Sequence, residues 1–472
     1  MISKELSKDF VFSNNHEKDM RLLQILNQNG VHSVEIGLYP PVPPTKDENG
    51  NEKTIEQQQA ECRTACNEYL SRVSGMFQAI MSIEGMRINS FHLPYSGLLR
   101  NTYSSNENER NFAVNQLITF VNTVNSVAKE QGYQPPEGTQ NYYFVIHPGA
   151  FVDLPRLPKE EEKPFLTPEQ NHLLEVRSER ILNAQTSIAT VINQTASQLA
   201  IENLNGANPC CTPNELTDFI HAVNAQLQNG VPHAGSNIDS CHCSSEYPPE
   251  AFAEKSYEEG INVIGTHISA KNSELENYIQ FTFVNNKGEK ESFFVNVATC
   301  SPEQQWAILS CASKDEIMAS QRNMDQHLPI GQGNTNFVPF FACLARHDYK
   351  GTYNHEVSGK AMQKDNEESF AQNVSLIVEN TNNVIQQAES YNANLSNTNT
   401  TTDSANQIEG ATTESDASQG ENMSYSPDVA RDMPAIIATE DYKESEHEDP
   451  SLTEEAVQTL SPAINETTDD DE

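Results

Sequence analysis

Asn262-Val-Ile-Gly-Thr-His267 is a short apolar run that ends on a histidine, and two more stretches have the same form. These are Tyr142-Tyr-Phe-Val-Ile-His147 and Gln198-Leu-Ala-Ile-Glu202, which also end on a side-chain type that can bind metals. Runs of this length, bounded by polar turns, are typical of strands that are buried on both faces. Residues 213–228, which lie between two of these runs, instead carry apolar residues at helical spacing. We therefore predict a parallel sheet whose strands are joined by helices.

The same alternation of short apolar runs and longer helical segments continues through most of the chain. Eight such repeats predict an α/β fold of the (β/α)8 TIM-barrel type over residues 8–375. Thr212 is the expected N-cap of the helix at 213–228, because Glu215 occupies the third helical position. The other strands are predicted at 10–13, 31–37, 88–92, 236–239 and 352–356, and the other helices at 20–29, 54–85, 106–131, 169–195, 248–260 and 336–346.

The rhythm of strands and helices breaks between residues 272 and 323. Residues 278–284 and 291–297 alternate between apolar and polar side chains, and Asn285-Asn-Lys-Gly288 between them has the composition of a hairpin turn. A short helix is predicted at 302–312. We therefore predict an inserted β-hairpin and helix over 273–322. This insertion should overhang the barrel mouth, because candidate ligands precede and follow it.

The end of the chain differs in composition from the rest. Beyond residue 380 there are 21 Asp and Glu residues but only Arg431 and Lys443 as strong bases, so half of the formal net charge of −38 lies there. This segment is rich in Asn, Thr and Ser, and it cannot bury enough apolar surface to offset the entropy lost on ordering. We predict a closing helix over 362–390 and a disordered acidic tail over 380–472, for which a protein is a candidate partner.

The charge balance and the cysteine pattern limit the partners and the compartment. Nucleic-acid binding depends on Lys and Arg side chains that neutralise phosphates, and the chain ahead of the tail is itself net negative. Nucleic acid is therefore not the expected partner. No apolar run is long enough to span a membrane. The nine cysteines are odd in number and scattered, which indicates a reducing cytoplasm rather than a disulfide framework.

Metal-binding side-chain types recur at the places where the predicted strands end. Because all parallel strands of a barrel deliver their carboxyl ends to one mouth, these side chains should converge. Imidazole together with carboxylate suits zinc, manganese or iron better than calcium or magnesium. The set is too large for one ion and fits two or three ions that share carboxylates. The nine candidates are His92, His147, Glu202, Asp239, His242, His267, Asp325, His327 and Glu356.

Some residues at the predicted mouth are candidates for catalysis or substrate binding. Glu202 and Glu356 should lie across the mouth from one another, as a base and an acid on either side of a substrate. Glu35 is either a substrate contact or a strand-end charge that reaches solvent. Tyr95 can pack on a sugar or in the core. Lys271 can meet a phosphate or an oxyanion, or be an ordinary loop lysine.

Seven motifs in a fixed order resemble those of the xylose isomerase-like TIM-barrel superfamily. That superfamily includes sugar phosphate isomerases and epimerases as well as endonuclease IV-type enzymes. The resemblance spans residues 8–360, apart from the insertion. Its motifs are Phe91-His-Leu-Pro-Tyr95, Ile146-His-Pro-Gly149, Ile201-Glu-Asn-Leu204, Ile238-Asp-Ser-Cys-His242, Thr266-His-Ile-Ser-Ala-Lys271, Asp325-Gln-His-Leu-Pro-Ile-Gly-Gln-Gly333 and Tyr349-Lys-Gly351, which leads to Glu356.

The resemblance implies two different uses of the candidate ligands. In the endonuclease IV branch, all nine positions form a three-metal cluster that Glu202 bridges. In the epimerase branch, the positions of Glu202, Asp239, His267 and Glu356 hold one divalent ion, and the two glutamates exchange the proton beside a carbonyl. One to three divalent ions, zinc or manganese, are therefore implied.

These observations leave three functional hypotheses. The first is a metal-dependent sugar or sugar phosphate isomerase or epimerase. The second is metal-assisted phosphoester hydrolysis, although the loops that face DNA in endonuclease IV-type enzymes are acidic or amide-rich here. The third is a non-catalytic barrel that serves as a scaffold for a protein partner.

Overall fold

A computed structural model describes residues 6–13, 15–134, 141–149, 166–206, 208–272, 278–284, 290–296 and 326–406. The chain divides into two units, Met1–Asn392 and Ala393–Glu472. The candidate site and every strand of the described residues lie in the first unit. Of the second unit, the described part is the end of one long helix.

Eight parallel strands close into a barrel, which confirms the predicted fold class. The barrel strands are β1 (Leu6–Phe10), β2 (Ser33–Gly37), β3 (Arg87–His92), β4 (Tyr143–Ile146), β5 (Leu199–Glu202), β6 (Gly235–Asp239), β7 (Val263–His267) and β10 (Tyr353–His355). Around the barrel the strand order is β1-β10-β7-β6-β5-β4-β3-β2, and every neighbouring pair is parallel.

The first strand begins earlier in the chain than predicted. We predicted it at 10–13 from its apolar residues, but β1 is Leu6–Phe10 and includes three polar side chains. Ser7 and Lys8 are buried there, and the Lys8 ammonium donates to the backbone carbonyl of Val357 at 3.3 Å. Its charge is also paired with the Asp9 carboxylate, and an ammonium paired in this way can be buried in a strand, which the apolar pattern does not reveal.

Helices cover the outside of the barrel, and a 3-10 helix at Gly97–Tyr103 follows β3. The single helix predicted at 54–85 is two helices, with a break at Ser71 and Arg72. The helices are α1 (His16–Gln28), α2 (Ile55–Leu70), α3 (Val73–Met81), α4 (Glu107–Glu130), α5 (Pro168–Thr195), α6 (Pro213–Asn224), α7 (Pro249–Glu258), α8 (Val338–Arg346), α9 (Gly359–Met362) and α10 (Glu367–Asn406).

Thr212 caps α6 as predicted, and its removal should cost stability. The Thr212 hydroxyl accepts a hydrogen bond from the backbone N–H of Glu215 at 3.2 Å. We expect Thr212→Ala to lower the free energy of unfolding by about 1 kcal/mol, because that N–H loses its partner. Urea unfolding followed by circular dichroism measures this change. Thr64→Ala, at an exposed position of α2, is the matched control and should shift stability by less than about 0.5 kcal/mol. An equal loss in both variants would contradict the capping role.

The inserted hairpin is confirmed in the part of the insertion that the structure describes. Strands β8 (Tyr278–Val284) and β9 (Lys290–Asn296) pair antiparallel, with Tyr278 opposite Asn296. The chain is tied where the insertion begins and ends, because Ala270 and Leu328 exchange two backbone hydrogen bonds of 2.7 and 2.9 Å. The predicted turn at 285–288 and the predicted helix at 302–312 lie outside the described residues.

Helix α10 places the start of the acidic tail later than we predicted. It runs from Glu367 to Asn406, well past residue 380. Thr381, Ile385 and Ala388 are buried, so this stretch packs on the barrel unit instead of leaving it. The Thr381 hydroxyl lies 3.1 Å from Nε2 of buried His355 on β10. The remainder of the predicted tail, residues 407–472, lies outside the described part. In the described ranges no helix has both the length and the apolar character that crossing a bilayer requires.

Candidate metal centre

The strand ends bring the predicted ligands to one edge of the barrel. His92, Glu202, Asp239 and His267 are the last residues of β3, β5, β6 and β7. Asp239 and His267 are paired directly across neighbouring strands. Because parallel strands in a barrel share one direction, terminal residues of separate strands become neighbours at its carboxyl edge.

Eight of the nine predicted ligands converge at this edge, and the ninth, Asp325, lies outside the described residues. In each of three groups the candidate ligand atoms all lie within 4.8 Å of one another. Glu202 and Asp239 each belong to two of the groups, which is the arrangement that bridging carboxylates have in multinuclear sites. The groups are His92, His147 and Glu202; Asp239, His242 and His327; and Glu202, Asp239, His267 and Glu356.

Glu202 is the centre of the arrangement, and its side chain is fully buried. Nε2 of His92 and Nε2 of His147 lie 3.3 and 3.5 Å from Oε2. Nδ1 of His242 and Nδ1 of His267 lie 3.3 and 3.4 Å from Oε1. Yet neither carboxylate oxygen has a hydrogen bond of acceptable geometry from a described residue. Buried charge without hydrogen bonds is costly, and a cation among these atoms would remove that cost.

Three of the histidines have Nδ1 beside a backbone carbonyl oxygen, which for His242 is that of Asn203. Nδ1 of His92 lies 2.9 Å from the carbonyl oxygen of Leu93, and Nδ1 of His327 lies 3.0 Å from that of Glu356. Donation from Nδ1 makes Nε2 the nitrogen that would bind an ion, which is the usual arrangement of a metal-ligating histidine. His327 also has a φ of +43°, an uncommon backbone conformation that functional sites often hold.

Glu35 lies inside the barrel, where it supports His267. Its Oε1 is 3.0 Å from Nε2 of His267, and its Oε2 accepts a hydrogen bond of 2.6 Å from the Ser90 hydroxyl. The opposite ring nitrogen, Nδ1, lies 2.5 Å from Oε2 of Glu356. Since Glu35 is only 1% exposed, it is placed to orient the imidazole. Substrate contact by Glu35 stays a prediction.

We expect Glu35→Gln to weaken metal binding without abolishing it. The amide keeps the shape of the side chain but removes the negative charge that makes His267 a stronger ligand. Loss of such a supporting carboxylate typically reduces metal affinity by about 10–100-fold. Isothermal titration with zinc or manganese measures the change, and Ser90→Ala, which removes one hydrogen bond to Glu35, should have a smaller effect. Unchanged affinity in Glu35→Gln would refute the supporting role.

The charges at the centre favour exchange of protons for a cation. Burial alone would lower the pKa of His267, but the carboxylates of Glu35, Glu356 and Glu202 outweigh it, and the pKa is raised well above its usual value. Burial alone would raise the pKa of Glu202, but His267 and His147 hold it well below its usual value. The Glu202 carboxylate therefore stays ionised. A bound cation would take the place of the imidazole protons.

The two other predicted substrate contacts lie at different depths. Tyr95 is 41% exposed, and its ring stacks on His147 with centroids 4.3 Å apart. It is thus on the rim of the site, where a ligand can reach it. Lys271 is buried, and its ammonium donates to the backbone carbonyl of Cys243. The predicted substrate contacts of both residues stay predictions.

Sequence reasoning did not single out Asn203, which braces the turn after β6. Its side-chain nitrogen donates to the backbone carbonyl of Asp239 at 3.0 Å, and its side-chain oxygen accepts from the Asp239 N–H at 2.7 Å. Its own carbonyl oxygen lies 2.9 Å from Nδ1 of His242. Asn203 directly follows Glu202 in the motif Ile201-Glu-Asn-Leu204, and that position was the available signal.

Comparison with known proteins assigns the barrel to a class. The family model described as xylose isomerase-like TIM barrel matches residues 23–380. The chain belongs to this family, as the motifs predicted. A comparison with curated protein sequences gives no match.

Three solved structures are among those that the comparison finds similar to this chain. A D-tagatose 3-epimerase-like protein is 16% identical with a TM-score of 0.41, over 80% of this chain and 99% of that one. A 3-keto-D-glucoside 4-epimerase from E. coli is 11% identical with a TM-score of 0.43, over 78% and 97%. A D-psicose 3-epimerase from Clostridium cellulolyticum H10 is 9% identical with a TM-score of 0.42, over 81% and 99%.

Proposed function

We propose that this protein is a divalent-metal-dependent sugar or sugar phosphate isomerase or epimerase. The observation that carries the proposal is the group of Glu202, Asp239, His267 and Glu356, whose ligand atoms lie within 4.8 Å of one another at the barrel mouth. Its buried carboxylate oxygens without hydrogen bonds, together with imidazole nitrogens, suit zinc or manganese. When bound, the ion would polarise a carbonyl oxygen of the substrate.

Glu202 and Glu356 are the residues that we propose to move the proton. Glu202 ends β5 and Glu356 directly follows β10, on different sides of the barrel mouth. One carboxylate would take the proton from the carbon beside the carbonyl, and the other would return a proton to the opposite face. Burial alone would raise the pKa of both carboxyls, but the histidines around them hold the pKa of each below its usual value. Both therefore start ionised, and the one that returns the proton must first take it from solvent.

The rim beside the metal groups is the proposed place for the rest of the substrate, because the enclosed cavity there, about 10 Å³, has room for no more than one water molecule. It lies between the 3-10 helix and the end of β4, with Tyr95 and His147 on its wall. An aromatic rim suits the apolar face of a sugar ring. Arg100 adds a positive charge there, which suits a phosphate. The lining residues are Pro94, Tyr95, Leu99, Arg100, Thr102, Leu117, Ile146, His147 and Gly149.

Proton exchange with solvent tests this proposal even when the identity of the product is not known. The full chain, loaded with manganese or zinc, is incubated in D2O with a panel of ketoses and ketose phosphates, and NMR follows deuterium at the carbon beside the carbonyl. We expect exchange with at least one member, and loss of it after chelation. If no member of a broad panel exchanges although metal is bound, the isomerase proposal fails.

A second candidate function, metal-assisted phosphoester hydrolysis, is favoured by the two further ligand groups. An isomerase that uses one ion does not need the groups around His147 and His327, whereas a multinuclear hydrolase needs all three. His92→Ala and His147→Ala separate the two functions. Hydrolysis should be lost in both variants, while proton exchange should persist at a reduced rate. Binding of the acidic tail to a protein partner, and a cytoplasmic location, stay predictions.

A further inference from the structure

A second cluster of metal-binding side chains lies on the outside of the barrel, away from the mouth. Glu254 belongs to α7, Cys343 to α8, and His347 is the C-cap of α8. One ligand atom from each of these residues lies within 4.8 Å of the others. Neither the family resemblance nor the proposed reaction uses any of the three. We propose that Glu254, Cys343 and His347 form a zinc site that ties α7 to α8.

The helix geometry gives this cluster a defined shape. Cys343 and His347 are four residues apart, which places their side chains on one face of a helix, one turn from each other. Nε2 of His347 lies 3.6 Å from Oε2 of Glu254 on the neighbouring helix. Two ligands that bind one zinc ion at about 2.0–2.2 Å in tetrahedral geometry lie at nearly this separation. Small side-chain rotations are thus enough to close the site.

The surroundings hold two of the three ligands in place. The Arg346 guanidinium pairs with Oε1 of Glu254, which leaves Oε2 on the side of His347. The imidazole of His347 stacks on Tyr257 with centroids 4.1 Å apart and planes 9° apart. Such supporting contacts orient the ligands before an ion arrives. The ion pair is the competing use of Glu254, and it occupies only one of the two carboxylate oxygens.

The donor set selects the class of ion. Sulfur, nitrogen and oxygen together suit zinc, which accepts thiolate, imidazole and carboxylate in one tetrahedral site. Cys343 is fully buried, while Glu254 and His347 have side chains that are 39% and 38% exposed. A fourth position thus faces solvent, where a water molecule can complete the coordination. Burial and the nearby Glu254 charge raise the pKa of the Cys343 thiol, so binding must release its proton to solvent.

The position of the site gives it a structural task. In sequence, α7 precedes the inserted segment and α8 follows it, so an ion between them joins the two sides of the insertion. An ion that binds only the folded chain stabilises it by mass action. The site would therefore hold the barrel together where its regular alternation of strands and helices is interrupted.

Cobalt, a spectroscopic substitute for zinc, tests this site in the full chain. Thiolate coordination gives cobalt an intense charge-transfer absorption in the near ultraviolet, which imidazole and carboxylate ligands do not give. We expect the band on titration with Co²⁺, its disappearance in Cys343→Ser, and its persistence in Glu202→Gln. Because Cys241 and Cys243 lie near the mouth, Cys241→Ser and Cys243→Ser are the matched controls and should keep the band.

His347→Ala keeps the test decisive if Cys343→Ser does not fold. His347 is exposed, so its removal leaves the packing of Cys343 and the Arg346 ion pair in place. We expect this variant to bind Co²⁺ at the outer site at least about tenfold more weakly. A band that is absent from the unmodified chain, that survives in Cys343→Ser, or that is unaffected in His347→Ala would overturn the proposal. None of these outcomes depends on the reaction proposed for the mouth.

Discussion

Glu202→Gln should reduce proton exchange by about 10²–10⁴-fold, the usual contribution of a general acid or base. Glu202 is both a proposed base and a member of two ligand groups, so its charge serves the metal as well as the proton. The amide preserves the side-chain volume in a site where no part of Glu202 reaches solvent. The loss should therefore come from chemistry and not from a collapsed core.

The rate is measured by deuterium incorporation into the substrate that the unmodified chain exchanges, with circular dichroism as the folding check. Glu356→Gln is the partner variant, since it removes the second carboxylate of the pair. Glu259→Gln, at the exposed end of α7, is a neutral control. If Glu202→Gln folds normally and retains most of the exchange rate, Glu202 is not the base.

Removal of a metal ion from the mouth should lower the free energy of unfolding. Four carboxylates, those of Glu35, Glu202, Asp239 and Glu356, lie in or beside the centre, and a cation offsets their mutual repulsion. An ion at about 100–1,000 times its dissociation constant adds about 3–4 kcal/mol to the free energy of unfolding. We expect chelated protein to lose this increment.

Denaturant unfolding with saturating manganese, and again with excess chelator, measures the increment. Asp239→Asn should unfold almost alike under both conditions, because it removes a ligand that two groups share. The two unfolding curves are also measured for His347→Ala, in which an ion bound at Glu254 and Cys343 should no longer add to the difference between them. Identical unfolding curves for the unmodified chain with and without the ion would contradict a metal centre at the mouth.

The barrel could be predicted because its strands and helices differ in the spacing of their apolar residues and in their length. Seven of the eight strands were predicted within two residues of their observed ends, since apolar runs such as Leu199–Glu202 end in segments rich in Asn and Gly. The first strand was misplaced because Ser7, Lys8 and Asp9 are polar and yet form part of β1. Its burial depends on partners such as the Val357 carbonyl, which is distant in sequence.

The candidate site could be predicted residue by residue, but its supporting contacts could not. A side chain that ends a strand must lie at the mouth, so eight candidate ligands could be located there from their places in the sequence. Glu35 lies on β2, and its contact with His267 depends on how far its side chain reaches across the barrel, which the sequence does not reveal. The cluster of Glu254, Cys343 and His347 could not be predicted from the sequence, because the whole insertion separates Glu254 from the other two residues.

Metal content tests the central claim, a divalent ion among Glu202, Asp239, His267 and Glu356, most directly. The full chain is purified without chelator or added metal, and its zinc, manganese, iron and cobalt are counted by mass spectrometry, alongside Asp239→Asn and Cys343→Ser. We predict at least one equivalent that Asp239→Asn loses and Cys343→Ser keeps; nearly three such equivalents would favour the hydrolase candidate. A chain that binds no ion even after reconstitution, or whose ion is unaffected in Asp239→Asn, would contradict the account.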